Sequence, residues 1–168
     1  MTIEDGTGVE DANTYVTRAE ADAYFAEHPR AAAWAALGGS AKDAQLVYAT
    51  RMLDASVTFK GSRILIGQAL EWPRYGVEID DQYWPENTIP KDVKAAVYEL
   101  AISNSVNGLS DDPTGTEGIK SLSIGKGAVA LEFDAATVRT MLGKLVPLLL
   151  SRFALSTGNS MLRRIVRA

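Results

Sequence analysis

The sequence predicts a mainly α protein: a small helical bundle of three to four helices with one β-hairpin and one long structured loop, followed by a C-terminal extension. Three observations predict it. Apolar residues recur at the helical period of 3.6 in several separate stretches, and the period switches to two only between about residues 119 and 133. Between them lies an aperiodic region of about 30 residues, dense in aromatic and turn-forming residues. The 168 residues allow one domain with a substantial core, and 46% apolar with 23% charged residues is ordinary for a globular chain. The domain is placed at 1–155, and 156–168 are read as a flexible spacer and an amphipathic basic tail.

The folded part is expected to open at "YVTRAEADAYFAEH". Thr17 and Glu20 have capping-box spacing, Ala21, Tyr24 and Phe25 supply an apolar stripe, and Pro29 ends the helix. "RAAAWAAL" is a short alanine-rich segment anchored by Trp34. Ser40 is expected to cap the next helix, with Asp43 in its first turn and Leu46, Ala49, Thr50, Leu53 and Val57 on its core face. A third helix follows Pro90, with Val93, Ala96, Val97, Leu100 and Ala101 buried and Gly108 just past its end. In "IKSLSIGKGAVALEF" apolar and small residues alternate on both sides of Gly125-Lys126-Gly127, a hairpin pattern. Asp134 is expected to cap a last helix with Val138, Met141, Leu142, Leu145 and Leu149 as its stripe, bent or divided at Pro147.

The aperiodic region contains "ALEWPRYGVEI". Pro73 moves Trp72 away from helical dihedrals, and Gly76 lets the chain reverse. Trp72 brings a large apolar surface that can fasten the loop to the bundle. Arg74 has the planar fork that binds backbone carbonyls or a carboxylate. Trp72, Pro73 and Arg74 are therefore read as residues that hold the loop still, ahead of a ligand-site reading.

Little in the chain points to catalysis. With no cysteine, disulfides, iron–sulfur clusters and thiolate zinc sites are excluded, and a single histidine, His28, cannot build a usual zinc site. "GIKSLSIGKG" lacks the spacing and the final hydroxyl of a phosphate-binding P-loop. The carboxylate pairs Asp80-Asp81 and Asp111-Asp112 have the sequence context of turns. No enzyme activity, cofactor or metal is expected. The N-terminus lacks the pattern of a signal peptide, and no apolar run approaches the roughly 20 residues that span a bilayer, so a protein without a membrane role is expected.

The net charge of −4 is unevenly spread. Residues 1–30 carry a net −5 and residues 134–168 a net +5. A pI near 5.0 is opposite to the usual footprint of a nucleic-acid binder. Trp72, Tyr75, Tyr83 and Trp84 have faces on which bases can stack, but Glu71, Glu78, Asp80, Asp81 and Glu86 are interleaved with them. In the tail, Met161, Leu162, Ile165 and Val166 fall on one helical face, with Arg163, Arg164 and Arg167 mostly on the other. So short a segment is stable as a helix only if something covers its apolar face.

The order of "TYVTRAEADAYFA", "LVYATRMLD", "LEWPRYGV", "IPKDVKAAVYELA" and "IKSLSIGKGAVALEF" resembles a family of small proteins encoded in the structural-gene modules of tailed phages and prophages. Its members are labelled DnaT-like single-stranded DNA-binding proteins. In element order it is also similar to the head–tail adaptors of long-tailed phages. The resemblance runs from about Asn13 to Phe133, and "EWPR" and "IP-x-x-V-K-x-A" are its most specific pieces. The adaptor resemblance implies a structural virion protein at the neck, made in the host cytoplasm. It implies a ring of copies, twelve-fold, beneath the portal protein, joined on the tail side to a stopper or tail-terminator protein. Double-stranded DNA would pass through without specific binding. Met161, Leu162, Arg163, Arg164, Ile165 and Arg167 would then dock on the portal, and hairpin residues Ile124, Lys126, Val129, Leu131 and Phe133 would meet neighbours or line the channel. The family label implies the alternative, a single-stranded DNA-binding protein of phage replication.

Overall fold

The computed structural model describes residues 1–107, 119–125, 128–133 and 145–157. Two long helices packed against each other make the centre, α3 (Gly39–Ser56) and α4 (Lys91–Asn107), with α1 (Arg18–Phe25) and the short α2 (Ala31–Ala35) earlier in the chain. The protein is mainly α, with small antiparallel strand pairs added to the helices.

Local chemistry explains the helix boundaries. At α1, the Thr17 hydroxyl accepts from the Glu20 N–H at 3.0 Å while the Glu20 carboxylate accepts from the Thr17 N–H at 2.7 Å, a complete capping box. Helix α3 starts two residues earlier than the sequence suggested. Gly38 holds the cap position in extended backbone without a side-chain bond, so Ser40 lies inside the first turn. Asp43 is a turn further on and is gripped through two hydrogen bonds by Arg18. Pro90 accepts from the Val93 and Lys94 N–H groups and so opens α4, where its own missing N–H costs nothing.

The apolar stripes meet in one core. Leu46, Ala49, Thr50 and Leu53 of α3 and Val93, Ala96, Val97, Leu100 and Ala101 of α4 are all buried. Phe25, Trp34, Tyr24 and Tyr98 form an aromatic cluster that joins α1 and α2 to α4. Val57 is buried too, but in strand β1 (Val57–Phe59) rather than in the helix. Strand β1 pairs with a strand 100 positions on, Ala154–Thr157, with Val57 opposite Thr157. Ser156 and Thr157, expected in the flexible spacer, are therefore strand residues.

Helix α5 (Leu145–Leu149) buries Val146, and Leu150 just beyond it, whereas Leu145 is half exposed and Leu149 only partly buried. The predicted stripe is thus one residue out of phase here. The phase is set by Val146 and Leu150, one helical turn apart, facing the core. Pro147 falls in the first turn of this helix, and the rest of the expected helix, 134–144, lies outside the described residues. The expected hairpin is present as Ile119–Gly125 paired with Ala128–Phe133, with Ile124 opposite Val129 and Leu122 opposite Leu131.

The first 16 residues are not a lead-in to the fold. Glu4, Thr14, Tyr15 and Val16 are buried, and Ile3 bridges Thr14 in parallel. The Glu4 carboxylate accepts from the N–H groups of Gly6, Gly8 and Val9 at 2.8–2.9 Å, closing a small loop. Gly6 has φ +102°, and a Cβ there would overlap the Asn87 carbonyl oxygen, so a side chain is excluded twice over. Among the described residues no helix is long and apolar enough to cross a membrane.

Candidate functional site

The region from Lys60 to Pro90 has more regular structure than its sequence showed. Ser62–Arg63 pairs with Arg74–Tyr75, and Glu78–Ile79 pairs with Gln82–Tyr83. Two-residue strands show no period, which is why they read as loop. Gly61 and Gly76 take positive φ at the turns, and Asp80 and Asp81 do so at the tip of the second pair. Aspartate tolerates that region better than most residues because its short polar side chain bonds locally.

Under these hairpins lies a buried clamp. Trp72 is fully buried and meets Phe59 and Phe153 edge-on, each with ring centroids 5.8 Å apart. Pro73 is buried beside it, and the Trp72–Pro73 peptide bond is cis. The Arg74 guanidinium donates to the carbonyls of Lys60 at 2.7 Å, Gly61 at 2.7 Å and Glu71 at 3.0 Å, and to the Glu71 carboxylate at 2.6 Å. It ties both ends of the loop together. The Trp72 N–H donates to the Tyr15 hydroxyl, which donates in turn to the Asp54 carboxylate at 2.7 Å; the Glu71 N–H donates to the same carboxylate at 3.0 Å. Burial raises the Asp54 pKa to about 6, against the lowering pull of these hydrogen bonds. Burial and the facing Asp54 charge push the Tyr15 hydroxyl well above its ordinary range. Sequence reasoning named Trp72, Pro73 and Arg74 but missed Asp54 and Tyr15. The only signal was an acid set directly beside the core residue Leu53 in the stretch "MLDAS".

This clamp has little left over for chemistry. Arg74 is saturated by the chain's own carbonyls, and Trp72 presents no face to solvent. His28 is likewise engaged: its Nδ1 accepts from the Arg30 N–H, which places the proton on Nε2, 3.1 Å from Glu99 Oε1. The Tyr24 hydroxyl donates to the same Glu99 oxygen at 2.7 Å. Among the described residues no group of three or more histidine or acidic side chains is placed to hold a metal ion.

What the region offers to a partner is its outer surface. Tyr75 and Tyr83 are exposed, 49% and 76%, and Arg63 is exposed next to Gly61 and Ser62. Trp84 is partly buried against Phe153 and donates its indole N–H to the Thr88 carbonyl. Of the four aromatic residues in this stretch, only the two tyrosines present rings for stacking. Glu78 is opposite Tyr83, and Asp80 pairs with Arg152 at 2.5 Å, so acids border the second ring. Hairpin residues Ile124, Val129, Leu131 and Phe133 lie on the paired strands. Lys126 lies outside the described residues, as do the tail residues Met161, Leu162, Arg163, Arg164, Ile165 and Arg167.

Comparison with curated proteins and with solved structures finds no match. A family model does match, over residues 1–168, and its description is "Putative DnaT-like ssDNA binding protein". By that match along its whole length, the chain belongs to this DnaT-like family.

Proposed function

We propose that the protein is a non-enzymatic, DnaT-like single-stranded DNA-binding protein. The observation that carries this reading is the family match over the whole chain. Two features of the molecule support it. Tyr75 and Tyr83 stand exposed on consecutive short hairpins, and aromatic rings of this kind are platforms on which bases stack. The tail supplies Arg163, Arg164 and Arg167, the densest positive charge in the sequence, for the phosphate backbone. The acids beside Tyr83 repel phosphate and make such binding modest, and its reliance on the tail arginines makes it salt-sensitive. Fluorescence anisotropy of the full chain with a labelled single-stranded oligonucleotide tests the reading. Saturable binding that weakens with added salt and with Y83A supports it, and no binding at low salt rejects it.

A second reading is favoured by a specific observation: the tryptophan and arginine of "EWPR" are spent inside the molecule, in the manner of a rigid structural part. On this reading the protein is a head–tail adaptor of the phage neck, ringed beneath the portal protein and joined on the other side to a stopper or tail-terminator protein. The tail from Met161 to Arg167 would dock on the portal, and the hairpin would meet neighbouring copies or the DNA channel. Quantitative mass spectrometry of purified, nuclease-treated virions separates the two. A one-to-one ratio with portal selects the adaptor, and absence from the particle removes it.

A further inference from the structure

The segment from Leu145 to Thr157 leaves three leucines in solvent. Leu145 and Leu148, three positions apart on one face of α5, are 48% and 70% exposed, while Val146 and Leu150 face the core. Leu155 is 70% exposed on the strand Ala154–Thr157. A bulge puts it there: Ser156 is opposite Thr58 and Ala154 opposite Phe59, so Leu155 is an extra residue with no counterpart on β1. Helix and strand are held close, because the Phe153 and Ala154 N–H groups donate to the Leu150 carbonyl at 2.9 and 2.8 Å. Three outward leucines in one short, tightly folded segment are an apolar face without a cover among the described residues.

The residues that come next in the chain have the complementary character. Met161, Leu162, Ile165 and Val166 fall on one helical face of a sequence too short to be stable as a helix without a cover. Gly158, Asn159 and Ser160 separate them from the strand end at Thr157, and all three are turn-forming residues. A reversal there returns the following residues alongside Leu155. So short a tether holds the tail at an effective concentration on the order of millimolar, which favours it over a separate partner of equal affinity. Charge agrees with this choice. Arg152, between helix and strand, pairs with Asp80 at 2.5 Å, which brings the acidic hairpin of Glu78, Asp80 and Asp81 beside this segment. Arg152 answers one of those three acids; Glu78 and Asp81 are exposed and remain open to the arginines of the tail.

We infer that the tail folds back on the body of its own chain, with Met161, Leu162, Ile165 and Val166 laid on Leu145, Leu148 and Leu155. Apolar side down, the tail turns Arg163, Arg164 and Arg167 away from the leucines, toward solvent and the acids of the neighbouring hairpin. The contact is made within one molecule, so it does not depend on protein concentration. The inference rests on neither reading of the function.

Amide hydrogen exchange of the full chain, read by mass spectrometry, tests it. The amides of 161–167 are expected to exchange about tenfold or more slowly than in a chain carrying Leu148→Asp and Leu155→Asp, the consequence of losing buried aliphatic contacts. Both positions are exposed on the body, so the paired substitution is expected to leave exchange in α3 and α4 unchanged. Ile165→Asp, made on the tail side, leaves the body untouched and is expected to release the same amides. Dilution of the unsubstituted chain is expected to leave the protection as it is. Tail amides that exchange at the rate of an unfolded peptide, or protection that survives these substitutions, would overturn the inference. Protection lost on dilution would overturn it too, by assigning the cover to a second copy.

Discussion

Two residues decide whether the hairpin region keeps its shape, and they do so by different physics. Arg74 satisfies carbonyls from Lys60, Gly61 and Glu71 with one planar fork. A lysine has the charge without the fork, so Arg74→Lys is expected to lose most of what Arg74→Ala loses, about 2–3 kcal/mol, in urea unfolding. Equal stability of Arg74→Lys and the unsubstituted chain would show that charge alone suffices. Asp54 acts through pH. Its folded pKa, raised to about 6, stands above the roughly 3.9 of an unfolded aspartate, so the folded chain binds the proton more tightly. This contribution to stability is full below about pH 4 and is lost as pH rises through about 6, on the order of 3 kcal/mol in total. Asp54→Asn has no such proton to lose. Unfolding measured from pH 4 to pH 7 is therefore expected to show the variant gaining on the unsubstituted chain as pH rises, and a constant difference would contradict the assignment.

At the scale of elements, what the sequence revealed follows from how far apart the interacting residues lie. Helices α1, α3 and α4 were legible because their stripes are written within a turn or two of themselves, whereas the cap of α3 was misplaced because Gly38 caps it without a side-chain bond. The hairpin at 119–133 was legible for the same reason. Strand β1 was not: three residues are too few to show a period, and their partner lies 100 positions away. The N-terminal arm was missed because its order comes from one buried carboxylate, Glu4, and from glycines that look like flexible spacers. That difference is testable. Gly6→Ala places a Cβ against Asn87 at φ +102° and is expected to cost at least about 2 kcal/mol. Gly38→Ala, at ordinary dihedrals with open space around it, loses only the N-cap preference for glycine and is expected to cost less than about 1 kcal/mol. Similar thermal shifts for the two would mean that the arm is not packed as described.

At the scale of the whole molecule, the acidic N-terminal part and the basic C-terminal sequence set how this chain can meet DNA. A body that is net negative repels phosphate, so the ionic part of any affinity has to come from the tail, where Arg163, Arg164 and Arg167 are concentrated. Each neutralised phosphate of a single strand contributes a slope of about −0.7 to log K against log salt, so three give about −2. The same titration with all three arginines changed to Gln is expected to be nearly flat in salt, leaving only the stacking carried by Tyr75 and Tyr83. Removal of 158–168 is expected to have the same effect and to leave the fold intact, because the cut falls after the strand that ends at Thr157. A slope much steeper than −2 would mean that basic residues outside the tail reach the backbone. A slope unchanged by the three substitutions would take the tail out of DNA binding and leave it free to contact protein, which is the role that the adaptor reading gives it.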